Sequence, residues 1–286
     1  LASMGPRGAC FTEEVEALLE DPLPGVRGAA TKALECFARA AVADVPREVQ
    51  VGSDGKPLLN IALMFPGQGS QYVKMLAEVK DIPAVQDMIS KANEILGYDI
   101  LDLCLNGPEE KLEQTQFCQP AMYIGGLAAV ELLRRDNPEA VERCRIVAGL
   151  SLGEYTALTV AGVFDFETGL RLVKLRGEAM QEAAEASPQK MLSVAGLDQS
   201  VVERLCEESS GPDDVCRVAN FLFPKGFSCA GSKAAIERLE QKALETEGCL
   251  QAKPLKISGA FHTSYMEPAK QKLVAALRNV EADMKP

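Results

Sequence analysis

The sequence of 286 residues is poor in the residue types that build metal and redox sites. It contains one histidine, His262, and its nine cysteines include no CxxC pair. Zinc sites and thioredoxin-like motifs use such pairs or Cys/His clusters, and disulfide frameworks are typical of small secreted domains with an even number of cysteines. The composition therefore predicts neither a metal site nor a disulfide framework, and it favours a reducing compartment.

Basic residues and long apolar runs are also scarce. The 30 Lys and Arg residues face 41 Asp and Glu residues, which gives a formal net charge of -11. This charge repels nucleic-acid phosphates and anionic membranes, so we expect neither as a partner. The longest strongly apolar stretch, at 121–130, is far below the roughly 20 residues that span a bilayer. The first ten residues lack a secretory signal, and the start at Leu1 indicates a trimmed or incomplete end.

The remaining composition is that of a globular protein, with 47% hydrophobic and 25% charged residues. Residues 1–57 carry acidic-apolar helical patterning and predict a helical N-terminal extension. Beyond it, strand-like runs alternate with helical stretches, which is typical of parallel βα units. The predicted strands are 58–65 and 145–148, and the predicted helices are 121–135 and 165–186.

The pattern changes after Ser187 and Pro188. The segments at 191–195, 216–220, 227–230 and 252–257 read as strands, and 200–208 and 233–246 read as helices. The order βαββαβ is that of a ferredoxin-like unit. Because a further helix is predicted at 265–280, we expect an α/β fold with one large subdomain, formed by 58–187 and 258–286, and an inserted small subdomain, 188–257.

The segment Gly149-Leu150-Ser151-Leu152-Gly153 lies where a predicted strand gives way to a helix. This is the context of a nucleophile elbow, in which flanking glycines permit a tight turn that exposes the serine hydroxyl. The spacing recurs by chance in many chains, so an ordinary strand-to-helix turn stays open as the alternative.

A serine nucleophile needs a base within hydrogen-bond reach. His262 is the only histidine available, and it follows a turn of small residues where the predicted insertion returns to the large subdomain. A lone histidine is more often structural. Its combination with a serine elbow at a subdomain junction favours a catalytic role.

The segment Pro66-Gly67-Gln68-Gly69-Ser70-Gln71 follows the first predicted strand. It lacks the Lys-Ser/Thr pair of a phosphate-binding loop and the third glycine of a dinucleotide fingerprint. Its backbone N–H groups suit a developing oxyanion, although an ordinary turn is the alternative.

Arg176 shares a predicted helix face with apolar residues, among them Leu172 and Met180. A guanidinium in such surroundings requires an anion. The partner is either an Asp or Glu of this acidic chain or the carboxylate of a substrate, which arginine binds bidentately.

Five motifs, in this order, resemble those of malonyl-CoA:acyl carrier protein transacylases, the acyltransferase family of fatty-acid and polyketide synthesis. The resemblance begins at about Leu58 and runs to the end of the chain. The matching segments are 66–71, Gln119-Pro120-Ala121, Gly149-Leu150-Ser151-Leu152-Gly153-Glu154-Tyr155, Leu175-Arg176-Gly177 and Gly259-Ala260-Phe261-His262.

The resemblance implies a role for each matched residue. Ser151 is expected to be the nucleophile, His262 its base and Arg176 the ligand of the malonyl carboxylate. The backbone N–H groups of Gln68 and Leu152 are expected to form the oxyanion hole.

The resemblance also implies an activity and an architecture. The activity is transfer of a malonyl group from malonyl-CoA to the phosphopantetheine thiol of acyl carrier protein through a seryl-malonyl intermediate, with no metal or redox cofactor. The architecture is an α/β-hydrolase-like core that carries a ferredoxin-like subdomain. Asn220 matches a polar position near the site, and Phe261 resembles the malonyl-selective form of its motif. A thioesterase on the same elbow and a truncated acyl-binding protein are the alternatives.

Two features differ from the usual family pattern. Leu150 stands where the family often has histidine, and together with the N-terminal extension this resembles the mitochondrial branch. We therefore expect a mitochondrial matrix location, with cytoplasm or plastid as alternatives. Family members continue well past the catalytic histidine, so we also expect that the C-terminal part of the large subdomain is missing and that activity is low without it.

Overall fold

The computed structural model describes residues 61–212, 214–255, 257 and 259–285. The predicted N-terminal extension, 1–57, lies outside these residues, as does the beginning of the first predicted strand. None of the helices in the described ranges combines the length and the apolar character that crossing a membrane would require.

Two parallel strands support the nucleophile segment. Strand β1 (Ile61–Phe65) pairs with β2 (Cys144–Gly149), and the register places Phe65 opposite Gly149. A right-handed crossover between parallel strands needs intervening helices. The helices here are α1 (Pro83–Leu96), α2 (Ile100–Asn106), α3 (Glu109–Leu112), α4 (Thr115–Asp136) and α5 (Pro138–Glu142).

Two further helices follow β2, namely α6 (Gly153–Val160) and α7 (Phe166–Glu185). Helix α7 begins one residue after its predicted start, and the Asp165 carboxylate caps it by accepting a hydrogen bond of 2.7 Å from the Thr168 N–H. The apolar face of α7 packs on α4 and α1. This burial forms the largest core cluster of the described residues, which includes Leu76, Ile89, Tyr123, Ile124, Leu170 and Val173.

The next four strands form a separate antiparallel sheet. They are β3 (Gln189–Ala195), β4 (Cys216–Phe223), β5 (Gly226–Ser232) and β6 (Gln251–Pro254), in the spatial order β4-β5-β3-β6. Helices α8 (Gln199–Ser209) and α9 (Lys233–Glu245) give the predicted element order βαββαβ. Side chains such as Leu192, Val194 and Ile236 form a second core cluster in this part of the chain.

Strand β6 is shorter than predicted. It ends at Pro254 rather than at Ile257. Pro254 does not interrupt the pairing with β3, because β6 is an edge strand and the Leu255 N–H still donates a hydrogen bond of 3.0 Å to the Met191 carbonyl.

The chain then returns to α7. A 3₁₀ turn at Ser264–Met266 leads into α10 (Glu267–Val280), which packs against α7. A third apolar cluster joins the C-terminal half of α7, the small sheet and the segment before α10; its members include Ala183, Ala184, Met191, Ala230 and Phe261. This cluster anchors the segment that carries His262.

Candidate active site

Ser151 lies on the tight turn between β2 and α6, with a φ of 54°. A side chain at Gly149 would overlap the backbone of Gly153, and a side chain at Gly153 would overlap the carbonyl of Phe65. Only glycine fits at both positions. The surrounding backbone therefore holds Ser151 in the left-handed region, which non-glycine residues rarely occupy.

The loop that carries His262 is held by one buried amide. Gln189, the first residue of β3, accepts a hydrogen bond of 2.7 Å from the Ala260 N–H and donates one of 2.7 Å to the Ala183 carbonyl. His262 itself has a φ of 63°. Both predicted catalytic residues thus occupy strained backbone positions that their surroundings fix.

Arg176 is buried on α7, with 8% of its surface exposed. Its Nη2 donates a hydrogen bond of 2.9 Å to Ser151 Oγ, and its guanidinium lies 5.5 Å from the centre of the Tyr155 ring. Its Nη1 is buried without a partner. Among the described residues, Arg176 forms no ion pair with an Asp or Glu. Burial lowers the pKa of Arg176, so an anionic ligand would be strongly favoured here.

A cavity of about 220 Å³ connects Arg176 with His262. Met180, one turn after Arg176 on α7, lines the same cavity, and side chains such as Met266 and Lys270 close the other side. The structure thus brings together the guanidinium and the imidazole that the sequence predicts. Ser151 borders this group through its hydrogen bond to Arg176.

The serine and the imidazole are not hydrogen-bonded to each other in this conformation. Within the described ranges, Ser151 Oγ has Arg176 as its hydrogen-bond partner, and no hydrogen bond involves the His262 ring. Catalytic hydrogen bonds are often long or misaligned before substrate binds.

The N–H groups predicted for the oxyanion hole come from the two turns that follow β1 and β2. In the described part of the chain, neither the Gln68 N–H nor the Leu152 N–H donates to a protein acceptor. The Gln68 side chain is fixed by a hydrogen bond of 3.2 Å from its Nε2 to Thr115 Oγ1. Both N–H groups are therefore available to a ligand oxygen.

Asn220 lies on β4, in the small sheet. Its Nδ2 donates a hydrogen bond of 2.8 Å to Ser228 Oγ on the neighbouring strand. The described contacts do not connect it to Ser151, His262 or Arg176.

A family model described as acyl transferase domain matches residues 63–286. The chain belongs to this acyltransferase family. The resemblance seen in the sequence motifs is thereby confirmed.

Curated relatives of this chain have consistent names. The chain is 43% identical over 226 residues to the human "Malonyl-CoA-acyl carrier protein transacylase, mitochondrial", a match that covers 77% of this chain and 58% of the relative. The mouse protein of the same name is 38% identical over 269 residues, covering 92% of this chain and 69% of the relative. The chain thus spans less than two thirds of the length of the human relative.

Solved structures agree with the sequence matches. The crystal structure of the acyl-carrier-protein S-malonyltransferase from Burkholderia pseudomallei matches this chain with a TM-score of 0.69 and 37% identity. The match covers 79% of this chain and 71% of the Burkholderia protein. The mixed α/β fold predicted from the sequence is confirmed.

The sequence patterns indicated no role for three residues that lie around this site. Tyr155 lies beside the Arg176 guanidinium, Met180 lines the cavity, and Gln119 contacts Met180. Tyr155 and Gln119 belong to matched motifs, which is a signal that could have indicated them. For Met180, the only signal in the sequence was its position on the same helix face as Arg176.

The pKa of His262 determines the pH dependence that we expect for the acylation rate. Burial on the cavity side, and secondarily the charge of Arg176, lower the pKa of His262 below its usual value of about 6.5, although part of the ring is solvent-exposed. A base must be neutral to accept the serine proton. With Ser151 and His262 in the roles predicted from the sequence, the rate of acylation should therefore persist as the pH falls through 6.5 and decline only at lower pH.

The initial rate of acylation, measured between pH 4.5 and 8, checks this expectation. An acid limb with its midpoint at or above 6.5 would contradict it. The same shift affects stability with a defined sign: the unfolded imidazole takes up its proton first, so the free energy of unfolding falls as the pH drops from about 6.5 to the lowered pKa.

Proposed function

We propose that this chain carries the catalytic site of a malonyltransferase, which moves a malonyl group from malonyl-CoA to the phosphopantetheine thiol of acyl carrier protein for fatty-acid synthesis. The observation that carries the proposal is the buried Arg176 guanidinium, which donates to Ser151 Oγ and retains an unpartnered Nη1. A carboxylate at the far end of an acyl group would satisfy it bidentately beside the nucleophile. The names of the human and mouse relatives support this substrate and acceptor.

The first half-reaction acylates the serine. We assign Ser151 as nucleophile and His262 as base: the imidazole takes the hydroxyl proton while Oγ attacks the thioester carbonyl. The N–H groups of Gln68 and Leu152 stabilise the oxyanion. The intermediate then collapses, the bond from the carbonyl carbon to sulfur breaks, and His262 returns the proton to the leaving thiolate of coenzyme A.

The second half-reaction runs the same steps in reverse. His262 deprotonates the phosphopantetheine thiol of the carrier protein, the thiolate attacks the seryl ester, and Ser151 leaves with the proton. All bonds and protons balance without a metal or redox cofactor, and we assign none.

The proposed architecture follows from the order of elements. An α/β-hydrolase-like core would comprise residues 58–187 and 258–286, and residues 188–257 would form a ferredoxin-like subdomain. The order βαββαβ and the strand order β4-β5-β3-β6 support the second assignment. Asn220, on β4, would contribute to substrate binding from this subdomain. The names of the human and mouse relatives support a location in the mitochondrial matrix.

Intact-mass spectrometry after exposure to malonyl-CoA tests the proposal. We expect the mass of one malonyl group to be added, and then to be lost upon addition of acyl carrier protein that bears its phosphopantetheine arm. Carrier protein without the arm is the matched control. No adduct would support an acyl-binding protein, and an adduct lost equally fast to water alone would support a thioesterase; either result would contradict malonyl transfer.

A further inference from the structure

Gln119 is a fully buried amide whose hydrogen bonding is incomplete. It lies in the second turn of α4, and its exposed fraction is 0%. Its Nε2 donates to Met180 Sδ at 3.4 Å, and its Oε1 has no partner. Burial of an unsatisfied amide oxygen is unfavourable, and a thioether is a weak acceptor. Stability alone therefore gives no reason for glutamine at this position.

The partner of Gln119 belongs to the acyl cavity. Met180 lines it together with Arg176 and His262, and it lies four residues after Arg176 on the same face of α7. Helix α4 is fixed against this face, because the Thr115 N–H donates a hydrogen bond of 2.9 Å to Gln181 Oε1. Gln119 thus reaches the cavity through one side chain, that of Met180.

A methionine side chain has three rotatable bonds and adapts to what it contacts. Without a restraint, the Met180 thioether could move aside for a bulkier acyl group. The hydrogen bond from Gln119 restrains its sulfur atom. A substrate whose carboxylate binds Arg176 would place the carbon next to that carboxylate in the cavity that Met180 lines.

We propose that Gln119 is a specificity-determining residue, which holds Met180 as a fixed wall of the acyl cavity and so excludes acyl groups with a methyl branch beside the carboxylate. This inference rests on the proposed malonyl transfer. Gln119 acts through Met180 and touches no reacting atom, so it is a positioning residue. Malonyl and methylmalonyl thioesters both carry the carboxylate that Arg176 binds, and they differ only at the carbon that the wall contacts.

The test breaks the Gln119–Met180 hydrogen bond from either side. Gln119→Leu removes the donor and Met180→Leu removes the sulfur acceptor, each at nearly constant volume. The readout is the ratio of kcat/KM for acylation by malonyl-CoA to that by methylmalonyl-CoA. One extra carbon in an apolar pocket changes such a ratio by about 10- to 200-fold. We expect Gln119→Leu to lower the ratio by roughly tenfold, chiefly through faster reaction of methylmalonyl-CoA, whereas Met180→Leu replaces the restrained wall with a stiffer side chain that needs no restraint.

The double variant tests whether the two residues act as one unit. Its ratio should equal that of Met180→Leu alone, since Gln119 has no acceptor to hold once the sulfur is gone. Gln116→Leu, on the same helix and outside the cavity lining, is the matched control and should leave the ratio unchanged. Thermal unfolding of each variant is measured in parallel; if Gln119→Leu does not fold, Gln119→Met, which also lacks the donor at similar volume, takes its place.

Unchanged ratios in the folded variants, or additive shifts in the double variant, would overturn the inference and leave malonyl transfer intact. Equal reaction of the parent chain with both thioesters would likewise overturn the inference and leave malonyl transfer intact. Failure of the parent chain to react with either thioester would instead contradict the proposed function itself. The two failures are therefore distinguishable.

Discussion

Replacement of Ser151 by alanine should abolish covalent labelling by malonyl-CoA. We propose that this hydroxyl forms the ester, and loss of a nucleophile from such a unit typically costs several orders of magnitude in rate. Alanine adopts the positive φ at this position with some strain, so thermal unfolding should be recorded beside the labelling. Intact mass and peptide mapping after exposure to malonyl-CoA provide the measurement.

Ser200→Ala is the control for this experiment. Ser200 is exposed on α8, and its substitution should leave labelling intact. Malonyl labelling that persists in folded Ser151→Ala would show that another side chain carries the acyl group.

Replacement of Arg176 by alanine should cost reaction with malonyl-CoA far more than reaction with acetyl-CoA. The substitution removes the hydrogen bond to Ser151 for both substrates, but only malonyl loses its charged partner. A hydrogen bond to a charged group contributes about 1.5–3 kcal/mol, and 1.4 kcal/mol corresponds to a factor of ten. The malonyl-to-acetyl ratio of kcat/KM should therefore fall by roughly 10- to 100-fold.

Arg171→Ala provides the matched control, since Arg171 lies on the same helix with its side chain 63% exposed and paired with Glu167. Its ratio should stay near that of the parent chain. If Arg176→Ala slows both thioesters equally, the guanidinium has a structural role and does not select the acyl group.

The sequence predicts those parts of the site that depend on local backbone geometry. The elbow is an example, because the glycines at 149 and 153 are neighbours of the serine that they expose. His262 could be named because the chain contains no other histidine. Helix α7 was bounded correctly at its start by its capping residue, Asp165.

Contacts between distant segments could not be predicted in the same way. The helix face of Arg176 indicates that it needs an anion, but the hydrogen bond to Ser151 depends on how α7 packs against the elbow. The bond from Gln119 to Met180 joins residues 61 positions apart and depends on the packing of α4 against α7. The end of β6 at Pro254 was not predicted, because the apolar pattern of the sequence continues to Ile257.

The Gln189 amide has a mechanical consequence for the enzyme. It ties the start of the small sheet to the carbonyl of Ala183 on the helix of Arg176, and to the loop that carries His262. Ser151 lies on the turn between β2 and α6, and its link to α7 is the hydrogen bond from Arg176. The loop that carries His262 and the small sheet are thus tied directly to each other by Gln189, whereas the turn that carries Ser151 is not. A docking partner or a distant substitution that displaces the small sheet would therefore change the distance between Ser151 and His262, while both side chains stay chemically the same.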